Sequence, residues 1–143
     1  MKQNKKGIIF TDGGARGNPG PAGIGYVIYD EKNNIISSIG LYIGETTNNQ
    51  AEYQAVWQAL NKAKDLGFHE LNLYLDSELV VNQLNQKFKI KNSELAKMFV
   101  KIWNISQEFK NIKYNYIPRE KNKLADKLVN QAIDQALKQK PRL

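Results

Sequence analysis

Residues Gly7-Ile8-Ile9-Phe10-Thr11-Asp12-Gly13-Gly14 carry an apolar run into an aspartate and two glycines. An apolar run this short, closed by glycine, reads as a buried strand over residues 7–11. Gly17, Pro19, Gly20, Pro21 and Gly23 crowd the stretch that follows. That density excludes a helix and predicts a loop over residues 12–22. Residues 24–30 and 35–43 are β-rich, and Asp30-Glu31-Lys32-Asn33-Asn34 between them supplies turn chemistry. An antiparallel hairpin is the expected result.

The period then changes. Ala51, Ala55, Val56, Ala59, Leu60 and Ala63 recur at helical spacing over residues 49–66, with Gly67 as the stop. Residues 70–75 predict a strand, and Ser77 the cap of a short helix reaching about residue 85. Residues 86–92 form a basic connector. Ser93 is expected to cap a helix whose apolar set is Leu95, Met98, Phe99, Ile102, Trp103 and Phe109. Trp57 and Trp103 fall within helical periodicity and are expected to pack. A strand over 112–117 ends at Pro118, and a last helix runs from about Lys121 to Lys138. The order β-β-β-α-β-α-α-β-α predicts an α/β fold. Its mixed five-stranded sheet has three antiparallel strands, then parallel crossovers, with helices on both faces.

A chain of 143 residues is expected to form one domain with a real core. No apolar run approaches the roughly 20 residues of a membrane span, so no membrane partner is expected. The basic start, Met1 to Lys6, lacks the apolar region of a secretory signal. With no cysteine, disulfides are excluded and a cytoplasmic location is expected. The termini, 1–6 and 138–143, read as flexible basic tails. A net charge of +7 favours a polyanionic partner, nucleic acid before an anionic membrane surface.

Against that basic background stand four acids in local contexts suited to metal binding. Asp12 and Asp76 each end a predicted strand, Glu52 lies near the start of the first helix, and Asp126 lies in the last helix. Strand ends are where α/β folds tend to place their sites. Each acid alone has an ordinary reading: a turn residue at Asp12 or Asp76, a first-turn acid favoured by the helix dipole at Glu52, a solvated helix face at Asp126. Converging carboxylates repel unless a cation sits among them. With no cysteine and a single histidine, His69, the natural occupant is a hard, oxygen-liganded ion such as Mg²⁺. No Walker-type phosphate loop is present, which argues against an ATP-binding relative.

Four segments together resemble type 1 ribonuclease H: Thr11-Asp12-Gly13-Gly14 with its glycine-rich loop, Thr47-Asn48-Asn49-Gln50-Ala51-Glu52, Asp76-Ser77-Glu78-Leu79-Val80, and Asn122-Lys123-Leu124-Ala125-Asp126. The resemblance covers about residues 7–136 and implies a single ribonuclease H-like catalytic domain over 1–143. The implied activity is endonucleolytic cleavage of the RNA strand of an RNA–DNA hybrid with two Mg²⁺ ions, Mn²⁺ substituting, leaving 5′-phosphate and 3′-hydroxyl ends. Asp12, Glu52, Asp76 and Asp126 are the implied catalytic metal ligands. Asp12 bridges, Glu52 and Asp76 complete one site, and Asp126 completes the other. Gly13, Gly14, Asn18, Asn48 and Asn49 are the implied contacts to the hybrid, with Asn48 also open to a helix-capping role. Thr47 and Asn92 match a pocket for a DNA-strand phosphate, although Glu45 stands where the family often has an arginine.

Three departures qualify the resemblance. The loop before the last helix lacks the usual histidine, and Arg119 or Glu120 is left to assist in its place. His69 does not match that position and reads as an ordinary surface residue. The connector Gln86 to Asn92 is too short for the basic helix that some members use to grip the hybrid. Lys87 and Phe88 stand where an aromatic commonly meets the DNA strand, and Phe88 is open to stacking or to a core role. Two alternatives follow: a binding module for hybrid or double-stranded RNA with little catalysis, and a broader nuclease that also cuts double-stranded RNA. A monomer is expected.

Overall fold

The opening strand does not stop at Asp12. In the computed structural model, which describes residues 4–138, β1 spans Lys6–Ala15, β2 Gly20–Tyr29 and β3 Ile35–Thr46. The loop expected over 12–22 shrinks to residues 16–19. Most glycines of this stretch therefore lie in the sheet. Asp12 pairs with Gly25, and Gly14 with Gly23, in an antiparallel ladder. A Cβ on Gly13 would lie 2.3 Å from the Ala51 carbonyl, and one on Gly25 would lie 2.5 Å from the Ala125 carbonyl oxygen. These glycines serve close approach of helices rather than turning, a distinction local sequence does not reveal. Gly17, with φ of +95°, is the one in the tight turn that needs glycine's freedom.

The remaining elements are α1 (Asn48–Asp65), β4 (Glu70–Leu75), α2 (Glu78–Leu84), α3 (Ser93–Ser106), β5 (Asn111–Tyr116), a 3₁₀ turn (Arg119–Lys121) and α4 (Lys123–Lys138). The sheet order is β3-β2-β1-β4-β5. β1–β2 and β2–β3 are antiparallel, and β1–β4 and β4–β5 are parallel, as the element order predicts. Alternation along β1 explains the two layers. Gly13 points to α1, while the neighbouring positions Asp12 and Gly14 share the opposite face with Gly23 and Gly25, where α4 packs. The main core lies between the sheet and α1, α2 and α3: Ile9, Ile28, Tyr53, Val56, Leu60, Leu73, Val80 and Ile102 are fully buried there. Each such side chain contributes about 1.5–3 kcal/mol of transfer free energy.

Several local expectations are corrected. Thr47, not Asn48, caps α1: its hydroxyl accepts from the Gln50 N–H at 3.2 Å in a capping box. Asn92, not Ser93, caps α3, its Oδ1 accepting from the Glu94 and Leu95 N–H groups. Glu52 lies in the second turn of α1, beyond the first-turn dipole reading. The last helix starts at Lys123, because residues 119–121 wind more tightly. Trp57 packs against the core, with Lys101 over its ring, but Trp103 is 47% exposed and Phe88 52% exposed, so neither is a core residue. Lys5 is tied by backbone hydrogen bonds to His69 and Glu70, Lys6 begins β1 and Lys138 ends α4, so these are not loose tails. The terminal expectation for residues 1–3 and 139–143 lies outside the described residues.

Candidate active site

Register places the first two acids together. β1 and β4 run parallel with Phe10 opposite Tyr74. Two residues further along each strand direction stand Asp12 and Asp76. Glu52 arrives from the other layer: because Gly13 has no side chain, the backbone of α1 at Ala51 and Glu52 rests directly on β1. One carboxylate oxygen from each of Asp12, Glu52 and Asp76 lies within 4.8 Å of the others. Asp126, in the first turn of α4, lines the same cleft from the opposite face and approaches Asp12. All four acids singled out by sequence therefore converge, three of them as a tight group.

The electrostatics are those of crowded, half-dry carboxylates. Burial, then the charge of Asp76 and contact with Asp126, pushes the Asp12 carboxyl up to about 8. Burial, then Asp12 and Asp76, raises Glu52 well above the carboxylate range. Burial also raises Asp76, opposed by a hydrogen bond from Asn122 and by the charge of Arg119. Glu52 Oε2 is buried without a hydrogen-bond partner. Buried polar atoms are normally satisfied, so an unpartnered oxygen on a carboxylate grouped with two more acids fits a bound cation. The donor set is oxygen throughout, which suits a hard divalent ion.

Around the acids lies a cleft of about 400 Å³ lined by Gly13, Gly14, Asn48, Asn49 and Arg119 among others. Asn48 and Asn18 brace it: Asn48 Oδ1 accepts from the Ala15 N–H at 2.8 Å, and Asn18 Oδ1 accepts from the Asn48 N–H at 3.0 Å. Asn18 thus positions Asn48 and does not itself line the cleft. Arg119 lines it too, whereas Glu120 does not. Thr47 and Asn92 lie outside it, each at a helix N-terminus, and Glu45 and Glu94 line a neighbouring surface with Thr46 and Gln50.

Sequence reasoning missed Arg16 and Asn130, which also line the cleft. Arg16 pairs with Asp134 at 2.7 Å and donates to the Asn130 carbonyl at 3.3 Å, tying the β1–β2 turn to α4. The available signal was Asn130 four residues after Asp126, on the same helix face. The residues between α2 and α3 contain no helix, in keeping with the short connector.

The sequence matches a family model described as reverse transcriptase-like over residues 10–132. A Mycobacterium tuberculosis protein described as bifunctional is 39% identical over 132 residues, covering 92% of this chain and 36% of the relative. This chain thus spans about a third of that relative's length. RNase H1 from the archaeon Halobacterium salinarum is 37% identical, with a TM-score of 0.89 over 91% of this chain and 98% of that one. LC11-RNase H1, solved in complex with an RNA/DNA hybrid, is 51% identical, with a TM-score of 0.88 over 92% of this chain and 99% of that one. Shared fold, near-complete coverage and this level of identity place the chain in the type 1 ribonuclease H family.

Proposed function

We propose that this chain is a divalent-metal-dependent endoribonuclease that hydrolyses the RNA strand of RNA–DNA hybrids, leaving 5′-phosphate and 3′-hydroxyl ends. The observation that carries the reading is Glu52. Its Oε2 has no protein partner, and its carboxylate stands in a group with Asp12 and Asp76 whose oxygens lie within 4.8 Å. Mg²⁺ is the proposed occupant, with Mn²⁺ as a substitute. When bound, two such ions supply water activation and stabilisation of the leaving oxygen. Asp12 would take part in both sites, with Glu52 and Asp76 at one and Asp126 at the other. The tight grouping of the first three acids supports that division.

The rest of the cleft would hold the hybrid. Asn48 has its Oδ1 engaged by Ala15, so its amide N–H groups are what it offers a ligand. Ribose 2′-hydroxyls and minor-groove acceptors are their complement, and reading that hydroxyl separates RNA from DNA. Asn49 and the side-chain-free backbone at Gly13 and Gly14 would contact the same strand. Arg119, exposed and lining the cleft, is the better placed of the two loop candidates to neutralise charge at the reacting phosphate. The Thr47 hydroxyl and the Asn92 amide keep donors at helix N-termini, which favour phosphate. Glu45 and Glu94 nearby would weaken that pocket.

The test is cleavage of an end-labelled hybrid in Mg²⁺, Mn²⁺ or EDTA, beside RNA and DNA duplexes. Metal-dependent cutting of the hybrid's RNA strand is expected. Binding without cleavage in either metal would replace this reading with that of a binding module. Comparable cutting of the RNA duplex would widen the substrate class.

A further inference from the structure

Asn122 is 1% exposed and touches three of the four acidic segments. Its Nδ2 donates to the Thr11 carbonyl at 2.8 Å and to Asp76 Oδ2 at 3.0 Å. Its backbone carbonyl accepts the Asp126 N–H at 3.1 Å. Its backbone N–H donates to the Arg119 carbonyl at 2.9 Å. One residue therefore grips β1 beside Asp12 and holds one oxygen of Asp76 beyond the end of β4 through its side chain, while its backbone begins the turn of α4 that presents Asp126. Its Oδ1, by contrast, is buried with no partner. An asparagine serving stability alone would be expected to satisfy that oxygen, because an orphaned buried acceptor is costly. Both amide hydrogens are instead directed to the acid-bearing segments.

We propose that Asn122 is a positioning residue that pre-assembles the metal-binding carboxylates by tying the start of α4 to Thr11 and Asp76. The inference rests on the metal reading of the acidic cluster. Asp76 carries two oxygens and two side-chain torsions, and a donor on Oδ2 restricts both. Asn122 touches neither ion nor substrate in this reading and acts through Asp76 and through the placement of Asp126. Partners of this kind typically change metal affinity by about 10–100-fold when removed.

The experiment is titration of the metal-free chain with Mn²⁺ (by electron paramagnetic resonance) and with Mg²⁺ (by calorimetry), comparing wild type with Asn122→Ser. Serine retains the ability to begin the helix but lacks the two-pronged donor. Binding is expected to weaken at least tenfold, and the Mg²⁺ concentration for half-maximal cleavage is expected to rise in step. Unchanged metal affinity in a folded Asn122→Ser protein overturns the proposal, including the case in which only the melting temperature falls. A wild-type chain that binds neither ion overturns the metal reading and this inference with it. If the variant does not fold, the wild-type Asn122 side-chain amide provides the test by NMR. Two slowly exchanging protons in the metal-free protein support the assignment, and rapid exchange overturns it.

Discussion

Burial and the charge of Asp76, with contact from Asp126, push the Asp12 carboxyl up to about 8, so the metal-free protein folds around a carboxyl that resists ionising. The sign of the consequence is fixed by linkage. An acid whose folded pKa is raised keeps a proton that the unfolded chain releases, so stability falls as pH rises between the two values. For Asp12 that window runs from about pH 4 to about pH 8, and Glu52 acts in the same direction. In EDTA, the melting temperature should therefore drop by several degrees from about pH 5 to about pH 8. Asp12→Asn should flatten that slope and raise the melting temperature at the upper end, while lowering cleavage on the order of 10³-fold, a loss of several kcal/mol. Parallel pH–stability curves for the two proteins would refute the assignment of the buried charge.

At the level of elements, the position of Glu52 depends on how closely α1 rests on β1. Gly13→Ala would drive a methyl group to 2.3 Å from the Ala51 carbonyl, a backbone group that cannot rotate away. The helix must shift, and Glu52 with it. A stability loss of about 1–3 kcal/mol is expected, together with weaker metal binding. Denaturant unfolding and metal titration on the same sample check both, and normal metal affinity would show that the contact is only structural. Thr47→Ala tests the other end of the same helix. Loss of the capping hydroxyl should cost about 1 kcal/mol and weaken hybrid binding without changing metal affinity. A change in metal affinity there would mean that the cap, not Gly13, sets the position of Glu52.

Across the whole molecule, a net charge of +7 surrounds an acidic cleft. Hybrid binding should weaken steeply with salt, log K falling linearly with log salt as condensed counterions are released. A flat salt dependence in a filter-binding series would remove the electrostatic part of the reading. The two-layer arrangement is what lets a basic exterior and an acidic centre coexist: α1 and α4 bring Glu52 and Asp126 from opposite faces to a sheet whose parallel centre presents Asp12 and Asp76. Ions placed there would relieve the repulsion that the fold otherwise bears.

Taken alone, the sequence determined the elements, their order, the antiparallel-then-parallel sheet and the four acids. Hydrophobic period, turn chemistry and helix stops are written in neighbouring residues and need no distant partner. Only the tertiary structure decided that Gly13, Gly14 and Gly23 belong to strands, that Trp103 and Phe88 face outward, that Arg119 rather than Glu120 lines the cleft, and that Asn122 ties Thr11 to Asp76. Each of these depends on a contact between residues far apart in the chain. Glycine shows the reason most plainly: it permits a turn and it permits close approach, and only the helix lying over it decides which use is made.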